Sequence, residues 1–361
     1  MEAFAPVWAL GLMSGTSMDG IDVALIETDG ERVFGGGPAC TVPYAPDLEQ
    51  SIRAALGKPD HGPALDRDIT DAHAEAVQAI LSQYPEYKEK TTLVGLHGHT
   101  VLHLPGDGIT VQVGDGARLA KLTGFDVVYD FRAADVSAGG QGAPFAPLYH
   151  QALSRELDGP LAIVNIGGIS NVTWIDPAGE APPVAFDTGP GNALLDDWVR
   201  STTKHPFDRD GTVSAAGKVD STTLGKLLDN PYFGAPPPKS LDRLDFDAGI
   251  VAGLSPGDGA ATLVRFTCDT ILSGLAHLPA APRRLLITGG GRRNPTMMKM
   301  LAEISDLPVD PVEAVGWDGD AIEAQAFAFL AVRSLRGLPL SLPSTTGVPT
   351  PMTGGKLARA A

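Results

Sequence analysis

Two stretches of the chain repeat one pattern of apolar and small polar positions. In the first, residues 8–13 are mainly apolar, Ser14-Gly15-Thr16-Ser17-Met18-Asp19-Gly20 is a run dominated by small residues, and residues 21–26 are apolar again except for Asp22. In the second, residues 161–166 lead through Gly167-Gly168-Ile169-Ser170-Asn171 into residues 172–175. Short apolar runs flanking a turn of small residues predict a β-hairpin in each case. The two copies lie about 150 residues apart, so one hairpin per domain is expected, in keeping with the two domains that a chain of 361 residues implies.

Elsewhere the period changes. Ile69, Ala72, His73, Ala76, Val77, Ile80 and Leu81 recur at helical spacing, which predicts a helix over 66–84 stopped by Pro85. Further helices are expected over 117–123, 193–201, 258–278 and 320–335, with Asn192 as the better cap for the second of these. Strands are expected over 92–96, running on into His97-Gly98-His99-Thr100, and over 110–113, 127–131 and 284–288. Strands alternating with helices indicate an α/β class. The tail from Pro339, rich in Pro, Thr and Gly, is expected to run irregularly over the surface.

Composition narrows the function. With 27 Lys and Arg against 43 Asp and Glu the formal charge is −16, and no basic run exceeds two residues. That excludes a surface that tracks nucleic-acid phosphates. No apolar run approaches the roughly 18 residues of a membrane span, and the acidic start does not read as a signal peptide. The two cysteines, Cys40 and Cys268, are expected to be reduced thiols of a cytoplasmic protein. Gly and Pro make up about a fifth of the chain, above the usual ~12%, which points to tight turns rather than disorder.

Candidate chemistry follows from the turns. Backbone N–H groups of a Gly/Ser/Thr turn can converge on phosphate oxygens, and Gly permits close approach. Neither hairpin turn fits the common phosphate-loop strings. Two such hairpins facing each other across a cleft, with a third turn at Thr288-Gly289-Gly290-Gly291, would nevertheless suit a nucleotide. Asp187, in Phe186-Asp187-Thr188-Gly189-Pro190-Gly191-Asn192, is a carboxylate at a strand end, read either as a general base or as a cap or Asx turn. Glu323 lies early in the last predicted helix, where acids commonly complement the dipole, yet its apolar neighbours admit a partly buried functional carboxylate. His97, His99 and His103 share a face if the strand is regular. That leaves zinc, a polar sugar-contacting wall or structural histidines as readings. Arg132, before the loop Gly139-Gly140-Gln141-Gly142-Ala143-Pro144, is a candidate for a substrate anion or for an ion pair with Asp130 or Asp135.

Taken in order, these strings, together with Asp130-Phe131-Arg132, Asn165-Ile166-Gly167-Gly168-Ile169-Ser170-Asn171 and Glu323-Ala324 with Phe327-Ala328, resemble the 1,6-anhydro-N-acetylmuramic acid kinases of peptidoglycan recycling. The likeness runs from residue 11 to about 347. It implies the fold of the hexokinase, Hsp70 and actin superfamily: α/β, two domains of duplicated ribonuclease-H-like topology, with ATP and sugar in the interdomain cleft. The expected domains are 1–132 with about 336–361, and 133–335. The resemblance implies that Gly15, Thr16, Ser17, Met18, Asp19, Gly20, Ile21 and Asp22 form the first phosphate loop, Gly167 and Gly168 the second, and Gly289 and Gly290 part of the adenosine site. Asp187 would be the catalytic base and Glu323 would orient water or sugar. His97, His99, Thr100, Arg132, Gln141 and Asn171 would meet the sugar, and Asp19 or Asp22 would partner Mg²⁺ through water. ATP and Mg²⁺ are thus the implied cofactors, an anhydro-sugar the substrate, and a homodimer the assembly. Residues 238–246 depart from the family pattern in lacking a Gly. The alternatives are a kinase of the same fold acting on another sugar, and a non-catalytic nucleotide-gated protein of the actin or Hsp70 type.

Overall fold

The computed structural model describes residues 4–15, 18, 20–241 and 245–360. The chain forms two compact units, 1–153 with 320–361, and 154–319. These boundaries differ from the expected ones: residues 133–153 and the helix Ile322–Leu335 belong to the first unit. The reason is packing, because that helix lies on the strands of the first sheet and supplies much of a core with Phe327, Phe329, Leu330 and Val332.

The first sheet contains β1 (Val7–Ser14), β2 (Gly20–Thr28), β3 (Val33–Pro43), β4 (Thr91–Leu104), β5 (Ile109–Val113), β6 (Asp126–Tyr129) and β12 (Lys356–Ala358). Its order is β12-β6-β4-β1-β2-β3, with β5 paired on β4. The strands β1, β2 and β3 form an antiparallel meander, whereas β4 is parallel to β1 and β6 parallel to β4. The second sheet contains β7 (Leu161–Ile166), β8 (Ile169–Ile175), β9 (Val184–Pro190), β10 (Leu285–Thr288) and β11 (Val309–Pro311), in the order β11-β10-β7-β8-β9. Here too the first three strands are an antiparallel meander, and β10 and β11 add in parallel on the other side of β7. Leaving aside β5 and β12, the two sheets therefore repeat one order with the same directions, β3-β2-β1-β4-β6 in the first and β9-β8-β7-β10-β11 in the second. The duplication expected from the two hairpins extends to five strands of each sheet.

Local sequence explains the helix starts. Asp115 accepts from the N–H groups of Ala117 and Arg118 to cap Gly116–Thr123, Ser255 caps Pro256–Gly274, and Asn294 caps Pro295–Ile304. Both latter helices carry Pro in their first turn, where no intrahelical donor is needed. Asn192 is not a cap. It is the first residue of Asn192–Thr203, and its side chain donates instead to the Ile166 carbonyl at 2.9 Å. The tail is not irregular surface either: Leu340, Ser341, Thr345, Thr346 and Val348 are buried, and β12 pairs antiparallel with β6.

One contact sets the first unit. Gly11 of β1 and Gly95 of β4 are register partners. A Cβ on Gly11 would stand 1.7 Å from the Ala324 carbonyl oxygen, and one on Gly95 would stand 2.2 Å from that of Phe327. Helix backbone thus rests directly on sheet backbone. Gly95→Ala is expected to lower the urea midpoint, with a loss of about 1–3 kcal/mol typical of overpacking. An unchanged midpoint would mean that the helix lifts from the sheet without penalty.

Candidate active site

In the first unit the expected residues gather at the carboxyl ends of the parallel strands, where open α/β sheets usually bind ligands. Ser14 ends β1, His97 and His99 lie in β4, and Arg132 follows β6. Met13, Ser14, Gly15, His97, Thr100, His103, Arg132 and Ala143 line a cavity of about 210 Å³. Even spacing does not put the histidines on one face. Gly98 takes φ +72° and the β1–β4 register shifts by a residue between Leu12 and Ser14, so the alternation breaks there. A Cβ on Gly98 would also meet the Val113 carbonyl at 2.4 Å.

The bulge gives the histidines separate tasks. His97 donates from Nδ1 to the Gly98 carbonyl at 2.8 Å, and its Nε2 accepts from Arg132 Nε at 3.1 Å and Nη2 at 2.9 Å. Both ring nitrogens are engaged, and burial with the adjacent guanidinium holds the imidazole neutral, well below its usual range. His99 pairs through Nδ1 with Ser14 Oγ at 2.8 Å, and Tyr44 donates to the same hydroxyl at 2.6 Å. His99 therefore lies behind Ser14, with burial lowering its pKa to about 4. Among the described residues no group of three His, Cys, Asp or Glu side chains is arranged to hold a metal ion.

Arg132 makes neither of the expected ion pairs directly. Its Nη1 donates to the Gly142 carbonyl at 2.6 Å, while Asp130 pairs with Lys356 at 2.7 Å. Burial lowers the guanidinium to about 10, opposed by the nearby charges of Glu323 and Asp135, so it stays cationic at neutral pH. Glu323 is exposed rather than partly buried, in the first turn of Ile322–Leu335. Gln141 contributes its backbone, donating to the Thr346 carbonyl at 2.6 Å and accepting from His103 Nε2 at 2.9 Å.

The first hairpin turn is shorter than residues 15–22, because β2 begins at Gly20. Ile21 points into the core, and Asp22 accepts from Thr41 Oγ1 at 2.6 Å. Met18 has φ +57° and its N–H donates to the Gly15 carbonyl at 3.1 Å. Thr16, Ser17 and Asp19 lie outside the described residues.

In the second unit, Asn165 of β7, Asn171 of β8 and Asp187 of β9 are successive register partners across three strands. Asp187 is therefore a mid-strand residue, neither a cap nor at the strand end, because pairing with β8 extends β9 through the Gly189-Pro190 dipeptide. Its Oδ2 accepts from the Leu241 N–H at 2.9 Å, its N–H donates to the Lys239 carbonyl at 3.2 Å, and Tyr232 donates to its carbonyl at 2.7 Å. The segment that departs from the family pattern thus still reaches the carboxylate. Burial pushes Asp187 up to about 7, with the Leu241 hydrogen bond acting against it. Gly167 and Gly168 direct their carbonyls to the N–H groups of Gly191, Asn192 and Ala193, at 2.7 to 3.2 Å. The carbonyls that would repel a phosphate are thereby engaged inside the protein. Gly289, at φ +75°, comes so near β7 that a Cβ would stand 2.2 Å from Asn165 Oδ1.

Sequence reading missed Ser14 with its support from Tyr44 and His99, and Tyr232 beneath Asp187. Tyr44 stands 30 residues from Ser14 and Tyr232 stands 45 from Asp187, so no local spacing marks either pair.

Duplicated sheets of this order, each with a Gly-containing hairpin turn, make the chain an α/β protein of two compact units with repeated topology. The family model for anhydro-N-acetylmuramic acid kinase matches residues 7–359. A protein of that name from Acidiphilium cryptum (strain JF-5) is 55% identical, covering 97% of this chain and 98% of its own. One from Rhodospirillum rubrum is 54% identical, covering 98% of this chain and 95% of its own. A solved structure described as a xyloylose kinase from Brucella ovis aligns over 98% of this chain and 95% of its own, at 14% identity and a TM-score of 0.48. The chain belongs to the anhydro-N-acetylmuramic acid kinase family.

The carboxylate of Asp187 sets a pH-dependent stability. Below about pH 4 it is protonated in both states. As pH rises toward 7 only the unfolded chain ionises, so stability is lost across that window. Asp187→Asn, neutral throughout, is expected to show a Tm advantage over the parent that grows from pH 4 to 7 and then levels off. A difference that does not vary with pH would refute the raised pKa.

Proposed function

We propose that the protein is an ATP-dependent kinase that opens 1,6-anhydro-N-acetylmuramic acid with water and phosphorylates O6, giving N-acetylmuramic acid 6-phosphate and ADP. The observation that carries the reading, beside family membership, is Asp187: a carboxylate in the middle of β9, opposite Asn171, whose burial pushes it up to about 7. A base of that pKa is ionised in part at pH 7 and still takes up a proton readily. Asp187 removes the proton from the water that attacks C1. The C1–O6 bond breaks, O6 attacks the γ-phosphorus, and the bond from that phosphorus to the β-bridging oxygen breaks to release ADP.

The remaining roles follow from chemistry. Arg132 offers a cation to the sugar's carboxylate, held in place by His97 and the Gly142 carbonyl. Ser14, Thr100 and His103 supply the polar wall. Asn171 flanks the base, and Glu323 contributes charge near Arg132. Gly15 with Thr16 to Asp22, and Gly167 with Gly168, are assigned to phosphates, and Gly289 with Gly290 to the adenosine. The hydrogen-bonded carbonyls of Gly167 and Gly168 and the missing side chain of Gly289 suit that assignment. Asp22, or Asp19, is the carboxylate for Mg²⁺, an ion that usually keeps several waters and takes one or two carboxylates besides substrate phosphates. When bound, Mg²⁺ neutralises charge on the phosphates. Two free cysteines and the absence, among the described residues, of a helix long and apolar enough to cross a membrane suit a cytoplasmic enzyme. The enzyme acts as a homodimer, as the family resemblance implies.

In ¹⁸O-labelled water with ATP and the anhydro-sugar, label is expected at C1 of the product. Product without label would remove the coupled hydrolysis from the reading. Asp187→Asn is expected to abolish turnover while ATP still binds, and kcat/KM of the parent should fall as pH drops below about 7. Near-normal kcat in the variant would rule out Asp187 as the base.

A further inference from the structure

The loop of residues 139–144 forms one wall of the first unit's cavity, and its backbone groups engage partners on two opposite sides. Toward the cavity, the Gly142 carbonyl accepts from Arg132 at 2.6 Å and the Gln141 carbonyl accepts from His103 at 2.9 Å. On the other side, the Gly142 N–H donates to Asp135 Oδ1 at 2.7 Å and the Gln141 N–H donates to the Thr346 carbonyl at 2.6 Å. Asp135 Oδ2 accepts from the Ser341 hydroxyl and, at 2.6 Å, from the Thr346 hydroxyl. Asp135, Ser341 and Thr346 are at most 1% exposed.

A buried carboxylate needs its donors, since losing one leaves charge without compensation. Here the donors come from the tail, 206 and 211 residues further along the chain. The loop can lie this close because Gly140 has no side chain: a Cβ there would stand 2.2 Å from Asp135 Oδ1. Gly142, at φ +66°, faces Asp135 with its N–H and Arg132 with its carbonyl. Any shift of Asp135 is therefore passed through one peptide plane on each side to the guanidinium.

We propose that Asp135, Ser341 and Thr346 are positioning residues for sugar binding. The tail holds Asp135, Asp135 and Thr346 hold the loop, and the loop aims Arg132 and His103. This rests on the assignment of Arg132 to the sugar.

The test is steady-state kinetics on the full chain with Thr346→Val and Ser341→Ala, each removing one hydroxyl, and with Thr346→Ser as the conservative variant. The expected result is a rise in the sugar KM of about tenfold or more, on the scale by which small displacements of positioning groups act, with the ATP KM nearly unchanged. Thr346→Ser restores the parent value. In an Arg132→Ala background, Thr346→Val adds little, because both act through one group. If Arg132→Ala raises the sugar KM and neither hydroxyl variant does, the positioning role is wrong and the sugar assignment stands. If Arg132→Ala leaves the sugar KM unchanged, the assignment fails and the positioning role fails with it. A rise in both KM values together, or a lowered Tm with neither KM moved, assigns the hydroxyls to stability alone and overturns the proposal.

Discussion

Direct contact between the Ile322–Leu335 helix and the paired glycines of β1 and β4 is the constraint on which the first unit depends. Side chains ordinarily hold a helix off a sheet, and here Gly11 and Gly95 remove them at one crossing point. Phe327 then packs at a tilt against His97, with ring centroids 4.5 Å apart, and against Phe131 at 5.3 Å. His97 holds Arg132, and Glu323, one turn earlier on the same helix, adds its charge near that guanidinium. A backbone contact deep in the unit thus decides where a cavity cation stands.

The second unit reaches its geometry through register. Asn165, Asn171 and Asp187 align because β7, β8 and β9 are a meander with fixed pairing, and a one-residue slip would turn Asp187 to the opposite face. Its titration near neutrality follows from burial rather than from a nearby anion. In the function proposed above, an acidic chain would meet anionic ligands through backbone turns and through Arg132, whose guanidinium is held by His97 and the Gly142 carbonyl. The net charge of −16 is spread over the chain and does not preclude such local sites.

Much of this was legible in the sequence. Both hairpins and the α/β class follow from runs of apolar residues and Gly turns, which are local signals; Asp187 was expected at a strand end, but pairing with β8 carries β9 on to Pro190. The face of each β4 histidine was not legible, because the positive φ of Gly98 resets an alternation that spacing alone assumes. Asn192 looked like a cap since Asn usually is one, but its side chain found the Ile166 carbonyl across the hairpin turn. The tail read as irregular because Pro and Gly dominate it, while its order comes from Asp135 and β6, partners far away in sequence. Glu323 lay on the expected helix, yet its exposure depends on how that helix meets the sheet.

The engagement of the Gly167 and Gly168 carbonyls with the start of the Asn192–Thr203 helix bears on which changes of length the chain tolerates. Three backbone hydrogen bonds bind the hairpin turn to the residues just after β9, and Gly191 is held so near that a Cβ would lie 2.3 Å from the Gly167 carbonyl. Insertions between Gly167 and Asn171, or between Asp187 and Asn192, would break that seam. The surface connection between Ile175 and Val184, whose residues 178–182 are mostly exposed, lies at the far end of the same strands. Over evolution, length variation in this meander should therefore collect at that end, leaving the two glycine turns constant in residue number.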